Sequence, residues 1–209
     1  MQIRERRGRG RQAEARRNDD AVLEAARIVF ATQGPDAPMS AVAAQAGVGM
    51  GSLYRRFAAK AEMLDFLCEA SLRQQVEIAE AALALADPLG SLTSYVTGCV
   101  DLRVGVLTLL AGEVTPSAGT RALALEAHSL LERIVTRAQG AGALRADVGG
   151  VDIYRLVELF SRRSFADPAA HQRLVALALD GMRAPGRTAL PGDEPTWADY
   201  ARQWQGQPI

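Results

Sequence analysis

The 209 residues carry 24 basic and 24 acidic side chains, 48% hydrophobic residues and a mean hydropathy of -0.02. That length suits one moderate domain or two small ones with a real buried core, and a net charge of zero argues against a general nucleic-acid coat protein. Aromatics are only 5%, Ala and Leu dominate the apolar set, and alternating β-branched runs are missing, so an all-α chain is expected.

The charge is unevenly placed. Residues 1–17 hold Arg4, Arg6, Arg7, Arg9, Arg11, Arg16 and Arg17 against Glu5 and Glu14, which leaves a slightly acidic body. This Gly/Arg-rich stretch reads as a disordered basic arm, suited either to an adjacent DNA minor groove or to life as a solvated tail. It lacks the apolar stretch of a secretory signal. No apolar run reaches the roughly 18 residues of a membrane span. A cytoplasmic protein without membrane contact is the expectation.

A first helix is predicted to begin near Asn18, where Asn18, Asp19 and Asp20 offer a cap and negative charge against the helix dipole. Val22, Leu23, Ala26, Val29 and Phe30 recur with helical periodicity, and Gly34-Pro35 ends the run. A short second helix starts with Pro38 in its first turn, turns Val42, Ala43 and Ala46 inward, and stops at Gly47. A third runs from about Met50 to Phe57. A long helix follows from about Lys60 to Leu85, with Met63, Leu64, Leu67, Leu72 and Val76 on its buried side. The domain junction is placed inside it, so that 18–66 and 67–183 form two domains. Asp87-Pro88-Leu89-Gly90 is a break. Further helices are expected at 91–110, 118–138, 151–163 and 168–182. Residues 184–209, rich in Pro and Gly, read as a tail without regular structure, save a short turn around Trp197–Trp204.

The segment from Val42 to Phe57 carries the functional signal. Two short helices crossing steeply need a small residue at their contact, which Ala43 supplies. Their turn needs a residue that tolerates positive φ, which Gly47 supplies. Val48 is the apolar anchor of the turn, and Leu53 and Phe57 pin the second helix. Met50, Gly51, Ser52, Arg55 and Arg56 remain for its outer face. Gly51 and Ser52 allow close approach to base edges, Tyr54 offers a hydroxyl to a phosphate, and Arg55, Arg56 and Lys60 supply charge. Lys60 also opens the next helix, whose free N–H groups favour phosphate.

Val22-Leu23-Glu24-Ala25-Ala26, Phe30-Ala31-Thr32-Gln33-Gly34, Val42-Ala43-Ala44-Gln45-Ala46-Gly47-Val48 and the run Leu53-Tyr54-x-x-Phe57-x-x-Lys60 together resemble the DNA-binding domain of the tetracycline-repressor (TetR) family of bacterial regulators. The resemblance covers about Arg17 to Leu67. It implies that Met50, Gly51 and Ser52 face the major groove and that Tyr54, Arg56 and Lys60 contact phosphates. It also implies a long helix joining a three-helix helix-turn-helix domain to a helical bundle that dimerises and binds a small-molecule effector. Two departures stand out. The family often has Ser or Thr where Gly49 stands, and again ahead of the second helix, where Ala37-Pro38 stands. A lost cap costs about 1 kcal/mol. Gly49, Met50 and Gly51 also leave few side chains to read bases, so shape readout is expected to contribute.

The expected function is a dimeric, effector-controlled DNA-binding regulator, a repressor by family habit, with a double-stranded operator as partner. The alternative is a helical small-molecule-binding protein with a weakened DNA head. Apolar residues on 151–163 and 168–182, among them Tyr154, Leu159, Leu174 and Leu177, suit a four-helix dimer interface or the core. Arg103, Glu113 and His128 are the effector-contacting candidates, with Glu126 and Arg133 as further polar groups amid apolar sequence. Cys68 and Cys99 read as buried free thiols. No cofactor or metal is implied, and no catalytic triad or phosphate loop supports an enzyme.

Overall fold

A computed structural model describes residues 2–34, 36–108, 115–162, 168–186 and 188–202, with side chains from Asn18 onward in these ranges, Leu107, Thr108 and Arg162 excepted. The described residues form ten helices: α1 (Gln2–Gln33), α2 (Met39–Ala46), α3 (Met50–Arg56), α4 (Lys60–Leu83), α5 (Pro88–Asp101), α6 (Val104–Thr108), α7 (Ala118–Gly140), α8 (Gly150–Arg162), α9 (Pro168–Gly181) and α10 (Trp197–Ala201). An isolated antiparallel bridge pairs Leu144 with Arg183.

Three sequence expectations are corrected. The first helix starts at Gln2, not near Asn18, so the basic arm is helical backbone. Arg, Gln, Glu and Ala are good helix formers, and extending an existing helix avoids the cost of nucleation. The helix expected at 91–110 is two helices, because Arg103 takes φ 50 and turns the chain between α5 and α6. That left-handed residue costs about 1 kcal/mol, and the turn lets Val104 bury in the body while Val106 reaches the head. Finally, the tail is ordered along much of its length and contains α10.

Signals read as breaks also act as starts. Asp87 caps α5, its carboxylate accepting from Leu89 N at 3.2 Å and Gly90 N at 2.9 Å, with Pro88 in the first turn. Ser117 caps α7, accepting from Thr120 N at 3.1 Å. Hydrogen bonding here satisfies donors that a helix start leaves open.

Apolar burial divides into two clusters that share α4. Met63, Leu64, Leu67 and Cys68 pack with α1–α3, whereas Leu72, Val76, Ala79 and Ala82 pack with the bundle. Polar bonds tie the halves together. Asp65 of α4 accepts from Ser117 N at 3.0 Å and from Thr120 Oγ1 at 2.8 Å, at the start of α7. Ser71 of α4 donates to Val104 O at 3.3 Å. Arg27 of α1, 2% exposed, donates to Gln74 of α4 and pairs with Glu24. Arg137 of α7 donates to the carbonyls of Leu83, Leu85 and Ala86, satisfying the end of α4. Cys68 and Cys99 are buried and not joined in a disulfide, and desolvation pushes each thiol up to about 12, which keeps them protonated and inert.

Candidate nucleic-acid interface

The helix-turn-helix forms because α2 stops where Gly47 allows it. Gly47 sits at φ 67, ψ 23, its N–H donates to Ala44 O, and Val48 N donates to Ala43 O. This paired bonding closes α2 as a left-handed cap. Ala43, Leu53 and Phe57 are buried as the spacing predicts. Val48 is half-buried against the same core rather than enclosed. Neither Pro38 nor Gly49 makes a side-chain cap bond, so α2 and α3 start without that support.

On the outer face of α3, Gly51, Ser52, Tyr54, Arg55 and Arg56 are exposed. Met50 departs from the expectation. It is half-buried and leans on the head core, because its long flexible side chain reaches back from the first turn of α3. Tyr54 is 55% exposed. Arg55 Nη2 donates to Ser52 Oγ at 2.9 Å, so those two side chains are organised together. Arg56 forms a two-pronged pair with Asp19 of α1, at 3.3 Å and 3.4 Å, and lies over the rings of Phe57 and Phe66. The phosphate contact expected of Arg56 therefore competes with Asp19, which the sequence marks only as a helix-start residue. Lys60 opens α4, and Glu62 accepts from Ala58 N at 2.8 Å to hold the approach.

These placements give a helix with small side chains and charge on one face, pinned by Leu53 and Phe57 in the core shared with α1 and α4. They are the parts of a helix that enters a major groove.

Comparison with known families decides the assignment. The family model described as "Bacterial regulatory proteins, tetR family" matches residues 22–66, and that of "Transcriptional regulator SbtR-like, C-terminal domain" matches residues 72–184, more than half of the chain. The chain belongs to the TetR family of bacterial transcriptional regulators. A TetR regulatory protein of Mycobacterium vanbaalenii is similar at 29% identity and TM-score 0.56, covering 83% of this chain and 99% of that one. The TetR regulator SCO0520 of Streptomyces coelicolor is similar at 26% identity and TM-score 0.55, over 80% and 99%. LfrR of Mycobacterium smegmatis, solved in complex with proflavine, shares the fold at 23% identity and TM-score 0.60, over 85% and 99%. No curated protein matches.

The body of this TetR regulator distributes the effector candidates differently. Arg103 is half-buried in the α5–α6 turn. Glu113 lies outside the described residues. His128 is half-buried on α7, its ring stacked on Trp197 of α10 at 4.1 Å, and burial holds its imidazole below the ordinary range, opposed by nearby Glu132. Glu126 and Arg133 are exposed. Among the described residues, Arg103 and His128 share no site. Gln75, Tyr95, Glu158 and Tyr200, none of them a candidate from the sequence, are all buried. Gln75 Nε2 donates to Tyr95 OH at 2.8 Å, and Tyr200 OH donates to Glu158 Oε1 at 2.7 Å. Aromatic residues in a Pro/Gly-rich tail were the signal available for Tyr200.

On α8 and α9 the apolar residues divide by face. Val157, Val175 and Leu179 enter the core, whereas Leu159, Leu174 and Leu177 are 57%, 41% and 57% exposed. No described helix is long and apolar enough to cross a membrane.

Proposed function

We propose that this regulator is a dimeric repressor that grips operator DNA through α3 and the start of α4, and releases it when an effector binds the bundle. Tyr54, Arg55, Arg56 and Lys60 take phosphates, and Gly51 and Ser52 lie against base edges, with Met50 at the edge of the groove. The observation that carries this reading is the α3 face itself: exposed, small and basic, on a helix pinned by Leu53 and Phe57. The exposed leucines of α8 and α9 support pairing of two copies, since an apolar patch on a soluble domain marks an interface. Proflavine bound to LfrR supports a small-molecule effector here. The regulator acts in the cytoplasm, without catalysis.

The test is operator binding after genomic selection. Wild type should bind the selected duplex at submicromolar affinity, with a steep salt dependence. Tyr54→Ala with Lys60→Ala should abolish binding while the circular dichroism spectrum stays helical; unchanged affinity would remove the α3 face from the assignment. Neutralising the arginines of residues 4–11 should flatten the salt slope by about 0.9 for each phosphate that is no longer neutralised, because α1 continues from Asn18 and Asp19, which border the cleft shared with Ser52 and Arg56. The second reading, a weakened DNA head, draws on the sparse base-reading set and on Ser52 and Arg56 being engaged within the protein. A selection that enriches no motif, together with tight effector capture, would favour it.

A further inference from the structure

The segment after α9 is a strap fastened to the body at two places. The first anchor is Arg145, which donates to both carboxylate oxygens of Asp147 and to Thr188 O, while Leu190 N donates to Asp147 Oδ2 at 3.0 Å. The second is α10, closed at its start by the reciprocal pair Thr196 and Asp199. Gly192, at φ 81, lies between them. Much of this strap follows the last residue matched to the family's C-terminal domain.

Tyr200 is 2% exposed although it belongs to a five-residue helix. Its ring stacks on Tyr154 at 5.2 Å and 15°. Its hydroxyl donates to Glu158, whose other oxygen accepts from Arg155 Nη1 at 3.3 Å. The Arg155 guanidinium lies 5.1 Å from the centre of the Tyr200 ring. A free phenol in the same seat would make each of these interactions. Trp197 and Ala201 also form one wall of a cleft of about 270 Å³ against Thr120, Ala124 and Leu125, on the side of α10 away from the packed core.

We propose that the seat of Tyr200, made by Tyr154, Arg155 and Glu158, is a binding site for a small neutral phenol, and that α10 is its built-in occupant. A phenolic molecule enters by lifting α10, places its ring on Tyr154, and donates its hydroxyl proton to a hydrogen bond with the Glu158 carboxylate. No bond is made or broken. A phenol acidic enough to ionise near neutral pH loses the donor and meets the charge of Glu158, so it is rejected. Exchange is reported to the DNA head along packed backbone. Gly105 of α6 lies so close to α8 that a Cβ there would stand 2.8 Å from Glu158 Cα, and its neighbour Val106 is buried in the head core. This proposal rests on the reading of the chain as effector-controlled and names the effector's class.

The experiment uses 4-methylphenol, which is the tyrosine side chain cut at Cβ, and 4-methylanisole, which keeps the ring but cannot donate. In full-length Trp204→Phe protein, Trp197 is the sole tryptophan. Titrating 4-methylphenol should change Trp197 emission as α10 lifts, and saturation should shift operator affinity at least fivefold, by about the coupling typical of two linked sites. Tyr200→Ala should bind 4-methylphenol about tenfold more tightly than 4-methylanisole, the ratio expected for a hydrogen bond to a charged acceptor, and adding Glu158→Leu, which leaves no acceptor, should erase that preference. If Tyr200→Ala does not fold, Tyr200→Phe keeps the ring and should raise the apparent affinity for 4-methylphenol about tenfold. Equal binding of the two compounds, no binding, or binding that leaves Trp197 emission unchanged overturns the site. Operator binding without phenol is measured on the same proteins, so its loss indicts the DNA-binding reading and its persistence isolates failure of the phenol site.

Discussion

Gly47 and His128 show how a single side chain, or its absence, sets local energetics. A Cβ added at Gly47 would meet nothing within 4 Å, yet its φ is 67. Gly47→Ala should therefore destabilise through backbone conformation alone, by about 1–2 kcal/mol, which a urea melt measures; a change below about 0.3 kcal/mol would mean that the turn relaxes. His128 carries a pH dependence whose sign follows from burial. Its folded-state value lies below the ordinary 6.5, because desolvation outweighs the attraction of Glu132. The unfolded chain therefore takes up the proton more readily, and the stability held by neutral His128 is complete above about 6.5 and falls as the pH drops through 6.5. Tyr154 and Trp197 face the same ring and remain uncharged there. His128→Phe, which keeps the stack, should flatten the loss of stability between about pH 7 and about pH 5.5; an unchanged pH profile would assign that loss to other groups.

At the scale of elements, α6 is the piece whose placement matters most. It is only five residues long, and it contributes Val104 to the body core and Val106 to the head core. A Cβ at Gly105 would meet the Ser161 hydroxyl at 3.0 Å and the backbone of Glu158 at 2.8 Å, and because backbone cannot turn aside as a side chain can, Gly105→Ala must separate two helices. A loss of about 1–3 kcal/mol is expected from such overpacking, together with weaker operator binding, because the head is repositioned. A stability loss with operator affinity unchanged would show that α6 packs without carrying the head. Little of this was legible in the sequence. Val104 and Val106 fit an ordinary helix at 91–110, and a left-handed arginine has no local signature. By contrast, α2, α3 and α4 were readable, since Pro38, Gly47 and the Leu53/Phe57 spacing act within one or two turns.

For the whole molecule, the distribution of exposed leucines predicts assembly. Leu159 of α8 and Leu177 of α9 are each more than half exposed, while Val157 on α8 and Val175 and Leu179 on α9 are buried. Leu159→Glu with Leu177→Glu should prevent the proposed pairing and give a monomer in light scattering, without loss of helix content. Two heads no longer held together should lose most of their operator affinity, since each half-site is then bound separately. A double variant that remains dimeric would move the interface elsewhere.

The sequence by itself determined the all-α class, the helix-turn-helix and its pinning residues, and the family, because these depend on short-range periodicity, on turn chemistry and on a contiguous motif. It also marked Tyr54 and Lys60 as candidates for DNA, since a helix face is set by spacing. Tertiary structure alone decided that Arg56 pairs with Asp19, that Asp65 ties α4 to the start of α7, that α6 bridges two cores, and that Tyr200 of the tail lies buried on Glu158. Each of those contacts joins residues at least 30 positions apart or depends on a backbone turn chosen by packing. Local pattern carries no information about such pairs, because their energy exists only once distant helices have met.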